Sequence, residues 1–282
     1  MNSFEQMLFL SSPPVAEGTW KLIRADQAPL LPIAIPLQAT ECDLTLPLEL
    51  YAAGNTSQTL RFVTLCLAHS RRASPDQWKL RLIIVMLQLE TGNPRAAWSG
   101  VQDALAWRNR VQNGDDLGPA SGQIVPRDWL VLAVAALAVA DFEASEQFAS
   151  AAVSCLEKNP GCCTGDLLAD TRADAMTVFA AIRMSQQRLR EAELLLELAH
   201  DAYLQAGDME QLVVVLLLMS DVERLSGAPL SSSYLLWEAA DVLARDFDRS
   251  RHHRHELLHR QVVARRRPPS GDTPMLKRLS LN

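Results

Sequence analysis

The order of apolar and polar positions divides the chain into a long periodic body and two unlike ends. From about Leu46 to Phe247, apolar residues recur at spacings of three and four, the period of helices that bury one face. Alternating β-branched runs are scarce, so strands are not predicted. The clearest start is Ser74-Pro75-Asp76-Gln77. Ser74 suits a cap, Pro75 suits the first helical position, and Gln77 can complete a capping box. The helix that follows carries Trp78, Leu82, Val85, Met86 and Leu89 and stops at Gly92. Asn93-Pro94 opens a second helix by the same logic. So short a connection predicts an antiparallel hairpin.

That hairpin recurs. Each second helix carries a small residue, a bulky one four later and an alanine three after that. The four sets are Ala97/Val101/Ala104, Ala144/Phe148/Ala151, Ala192/Leu196/Ala199 and Ser232/Leu236/Ala239. These spacings keep each set on one helical face. The small residues admit a close partner helix, and the bulky one fills the space between hairpins. Apolar first helices precede them at Leu80–Leu89, Trp129–Ala140, Ala173–Met184 and Leu212–Leu225. The final alanines recur after 47, 48 and 40 residues, which predicts an all-α solenoid of stacked hairpins over 46–248. An irregular all-α bundle is the alternative.

These residues resemble the tetratricopeptide-repeat family. Thr91-Gly92-Asn93-Pro94-Arg95-Ala96-Ala97 and Ala140-Asp141-Phe142-Glu143-Ala144 look like its turns, and Glu157-Lys158-Asn159-Pro160 like its repeat ending. The resemblance spans about Ser74 to Phe247. The period is longer than that family's usual one. The segments Ala206-Gly207-Asp208 and Ser226-Gly227-Ala228-Pro229 are similar to the variant repeats of anaphase-promoting-complex subunit five and of MalT-type regulators. The resemblance implies binding of peptides or protein partners, without catalysis or cofactor. The expected surface is a groove lined by first helices, with Arg81, Gln88, Arg183 and Glu223 projecting into it and Trp107 as a candidate anchor. The terminal hairpins, around 46–72 and 229–247, are expected to need capping by a partner.

The ends differ from this body. Residues 1–45 hold Pro13, Pro14, Pro29, Pro32 and Pro36, and the last three forbid a helix through the apolar Leu30–Leu37. An extended segment lying on the body, or a docking strand, is expected there. Charge separates the other end. The net charge of −6 combines 31 acidic and 18 basic residues on 1–248 with two acidic and nine basic residues on 249–282. The acidic body favours basic partner segments over nucleic acid. The tail, with Pro268, Pro269, Gly271 and Pro274, is expected to be solvated and disordered. Any contact of the tail with the body is expected to be weak and salt-sensitive.

Candidate chemistry is confined to that tail. His255-Glu256-Leu257-Leu258-His259 places two histidines on one helical face with a glutamate between them, a pattern that can hold zinc and activate water. A zinc-dependent hydrolase is therefore the alternative function. Against it, no histidine and one acid, Asp272, follow the motif. Arg265-Arg266-Arg267 raises a further alternative, a regulator that contacts nucleic acid. Cysteines at 42, 66, 155, 162 and 163 have no framework spacing. With no secretory signal and no apolar run long enough to span a bilayer, a cytoplasmic or nuclear location is expected.

Overall fold

Turns of one geometry recur along the chain, and four of them join its most closely packed helix pairs. In the computed structural model, which describes residues 44–70, 76–112, 124–158, 165–245 and 252–266, these four centre on Gly92, Ala140, Gln187 and Gly227. Each central residue lies at positive φ, between 61° and 84°. The next residue's N–H closes on a carbonyl five back: Asn93 on Gln88, Asp141 on Ala136, Arg188 on Arg183 and Ala228 on Glu223, at 2.8 to 3.0 Å. These bonds satisfy carbonyls that a helix C-terminus leaves unpaired. Glycine adopts positive φ freely at two of the turns. Ala140 and Gln187 bear a Cβ there, at a cost of about 1–2 kcal/mol each.

Among the described residues there are eleven helices and no strand. They are α1 (Thr45–Ala52), α2 (Thr56–His69), α3 (Asp76–Glu90), α4 (Pro94–Gln112), α5 (Pro126–Ala138), α6 (Phe142–Lys158), α7 (Gly165–Ser185), α8 (Leu189–Ala206), α9 (Met209–Leu225), α10 (Pro229–Arg245) and α11 (His252–Arg266). Gly54 turns the chain between α1 and α2 in the same way, with the Asn55 N–H closing on the Leu50 carbonyl at 2.8 Å. Pro94, Pro126 and Pro229 each take the first helical position, where a missing N–H costs nothing. Asp208 caps α9 by accepting from the Gln211 N–H at 3.2 Å. The helices pack in adjacent pairs, the closest being α3 with α4, α5 with α6, α7 with α8 and α9 with α10.

Contacts mirror across the turns. Ser145 donates to the Ala133 carbonyl at 2.8 Å, Ser220 and Ser232 share a hydrogen bond at 2.8 Å, and Tyr203 reaches Asp174 at 2.7 Å. In α4, a Cβ at Gly100 would stand 3.1 Å from Val85 Cγ2, so glycine sets the approach of α4 to α3. Measured from each turn, the small residues in contact are Ala97, Ser145, Ala192 and Ser232. Three of the four predicted sets are thus buried as expected. In α6 the set is Ser145/Ala149/Ala152, one residue later than predicted, because Phe148 goes to the side and stacks on Trp129 at 6.0 Å. The shorter last spacing also has a cause. Only Gly207 and Asp208 separate α8 from α9, whereas longer connections follow α4 and α6.

The first helices form the centre. Helix α5 touches α3, α4, α6 and α7, and α9 touches α7, α8, α10 and α11. From Leu130 to Leu137, and from Gln211 to Leu217, no residue is more than 3% exposed. Helices apolar on every side belong in such surroundings. The first-helix surface expected to line a groove is therefore covered at these centres. A smaller cluster joins Leu44 and Val63 to the other side of α3 through Leu80, Ile83 and Leu87.

The C-terminal segment requires a correction. The basic stretch expected to be disordered forms α11, and Leu258, Gln261 and Val262 are buried. Helix α11 packs on α9 and α10 and also reaches α1. The end of the α9–α10 pair is thus capped within the chain, where a partner was expected. The proline-rich residues 1–43, Arg267 and the residues after it lie outside the described residues.

Candidate interaction surface

Outward positions on the second helices follow the same register as the buried ones. Two residues before the small residue, and two and five after it, α4 presents Arg95, Ser99 and Gln102. Helix α6 has Glu143, Gln147 and Ser150 there, and α8 has Arg190, Leu194 and Glu197. In α10 these positions are Leu230, Tyr234 and Trp237, exposed to 86%, 70% and 68%. Spacings of four and three make them one stripe along the helix. Large exposed side chains in a row, two of them aromatic, are uncommon on a surface with no partner.

Helix α11 supports this stripe. Arg266 donates from Nη2 to the Leu236 carbonyl at 3.0 Å, and its guanidinium lies 4.3 Å from the centre of the Trp237 ring. A cation over an indole face contributes about 0.5–1 kcal/mol at exposed sites. It also restrains the tryptophan before anything binds, which lowers the entropy cost of docking. Arg265 is held more tightly, donating to both carboxylate oxygens of Asp221, with Nη2 at 2.8 Å from Oδ2. Two of the three consecutive arginines therefore have partners inside the fold.

Of the residues predicted to project into a groove, Arg183 is buried and Arg81, Gln88 and Glu223 are half-buried. Gln88, Arg183 and Glu223 share one register position, since their carbonyls close three of the turns. Arg183 is 1% exposed, and its guanidinium pairs with Glu146 at 2.8 Å and Glu191 at 3.5 Å. It ties α6, α7 and α8 together and is not available to a partner. Gln88 is half-buried against α4, and Glu223 is half-buried on α9.

Arg81 is half-buried, donates to Gln77 Oε1 at 3.2 Å and lies over Trp107, 5.6 Å from the ring centre. Burial lowers its pKa, with nearby Asp103 opposing the shift. Trp107, considered as an exposed anchor, is 8% exposed beneath it. Arg108 covers Trp78 in the reciprocal way at 5.3 Å, and burial lowers its pKa too. Trp78 in turn donates to Asp128 Oδ2 at 2.8 Å. Burial raises the Asp128 pKa, with the Trp78 and Val125 hydrogen bonds opposing. These groups join α3, α4 and α5, and they pack the core. Burial also pushes the Tyr203 phenol far above its usual range, and the neighbouring Asp174 carboxylate adds to the shift. Tyr203 therefore remains a donor.

The candidate metal residues lie one turn apart on α11. His255 Nε2 stands 2.8 Å from the Leu243 carbonyl, His259 is exposed, and Glu256 pairs with Arg260. Among the described residues no three His, Cys, Asp or Glu side chains converge in a group that could hold a metal ion. No helix among them is long and apolar enough to cross a membrane. The α10 stripe had a signal in the sequence, a run of Leu230, Tyr234 and Trp237 in helical spacing, but its outward direction is visible only in the fold. No protein-family model matches the chain, and no curated protein matches it in sequence.

Proposed function

We propose that this chain is a tetratricopeptide-like array of antiparallel helical hairpins, acting without catalysis as a protein-interaction adaptor or as a subunit of a larger assembly. The repeated turn and the contacts mirrored across it support the hairpin reading. The docking face we assign is the outer side of α10, in place of a groove along the first helices. One observation carries it: Leu230, Tyr234 and Trp237 stand exposed where most equivalent positions of the other second helices are polar or charged. Such a surface acts by burying a few large side chains against a complementary face, with a polar rim excluding water. A cytoplasmic or nuclear setting suits this role.

The test is affinity purification with mass spectrometry, comparing the full chain with a Tyr234→Ala/Trp237→Ala variant. A fixed set of proteins recovered by the wild type and lost from the variant is the expected result. Recovery of the same set by both would remove α10 as the docking face.

A further inference from the structure

We infer that the outer face of α10 receives a second copy of this chain, docked antiparallel through Leu230, Tyr234 and Trp237; this rests on the reading of that face as a protein-docking surface. The stripe is self-complementary. Tyr234 lies between the other two, so a two-fold axis beside it sets Leu230 of one copy against Trp237 of the other. Ser231 and Ser233 flank the stripe with small side chains, which lets two helices approach closely.

Charge selects this face for a like-charged partner. With a net charge of −6, two copies repel each other overall. The stripe and its two serines carry no charge. At its C-terminal end, Asp241 and Arg245 neutralise each other in an exposed pair at 2.6 Å. The rim holds both signs, with Arg266 beside Trp237 and Asp241 one turn beyond it. In the antiparallel pair this charged end faces the uncharged Leu230 end of the other copy, so no like charges are set against each other.

Area bounds the interface. Two aromatic side chains bury about 150–250 Å² each when covered. With Leu230 and the flanking residues, the pair of copies reaches roughly the 1,200 Å² at the lower end of specific interfaces. That size fits a reversible dimer, with dissociation on the order of micromolar.

Sedimentation of the full chain between about 1 and 200 µM tests this range. The expected result is a mass that rises from one copy towards two. Tyr234→Glu and Tyr234→Lys should each hold the protein at one copy, with wild-type helix content and melting. Mixing the two variants in equal amounts should restore the pair, because the two side chains meet near the axis. A single copy across the whole range for the wild type would overturn the inference, as would a pair that both variants retain. Either outcome leaves the docking reading standing if partner capture still depends on Trp237. If capture is also indifferent to Trp237, both readings fall.

Discussion

The α7–α8 and α9–α10 pairs share a register and use it in opposite ways. In the first, the position before the turn holds Arg183, buried between Glu146 and Glu191, and the outer face of α8 mixes Arg190, Leu194 and Glu197. In the second, the equivalent position holds half-buried Glu223, and the stripe Leu230, Tyr234 and Trp237 on α10 is uncharged. Charge is inside one pair and missing from the outward stripe of the other. The difference separates two kinds of constraint. Inward register positions are set by how closely helices must pack. Outward positions are free of that demand, so large apolar residues there call for a partner.

The comparison breaks first at Arg183. Arg183→Ala empties a buried site and leaves half-buried Glu146 without its cation, while Glu191 keeps Arg188 at 2.6 Å. Denaturant unfolding should show a loss of about 3–5 kcal/mol. Next comes Leu258, the buried residue through which α11 joins the core. Leu258→Ala should cost about 2–3 kcal/mol in the same measurement. A loss near zero would mean that α11 is not part of the folded unit.

Gln187→Gly sharpens the role of the turns. It relieves a positive φ at the cost of extra freedom in the unfolded chain, for a net gain of roughly 0.5–1 kcal/mol. Asp128 gives a smaller effect, seen in pH dependence. Its folded pKa is raised above the ordinary 3.8, so the folded state holds a proton that the unfolded state has lost in that window. Stability therefore falls as pH rises from the ordinary value through the raised one. Unfolding of Asp128→Asn followed across that window should lack this fall. The smallest loss belongs to the outward stripe. Trp237→Ala should cost the folded state no more than its contact with Arg266 contributes, about 0.5–1 kcal/mol. That small cost, beside the loss at Arg183, is what a docking residue predicts.

Much of the fold was legible because capping and turn chemistry are local. Pro94 starts a helix where Asn93-Pro94 predicts, and three of the four contact sets are in register. The α6 set slipped by one because Asp141–Ala152 contains two overlapping patterns, Ala144/Phe148/Ala151 and Ser145/Ala149/Ala152. A preference for a bulky middle residue chose the wrong one, and burial chose the other. The candidate site was far less legible. Arg183 reads as a projecting cation until Glu146 arrives from another helix. Trp107 reads as an anchor until α3 brings Arg81 over it.

The sequence by itself determined that the chain is helical, where a short turn joins α3 to α4 and which residues three of the four second helices bury. These follow from backbone geometry within a few residues. Only the tertiary structure decided what becomes of the charges. Helix α11 has few apolar residues among many basic ones, and the partners of Arg265 and Arg266 lie on α9 and α10. A cation's cost of leaving water depends on what packs beside it, and residues tens of positions apart supply that answer only once the chain has folded.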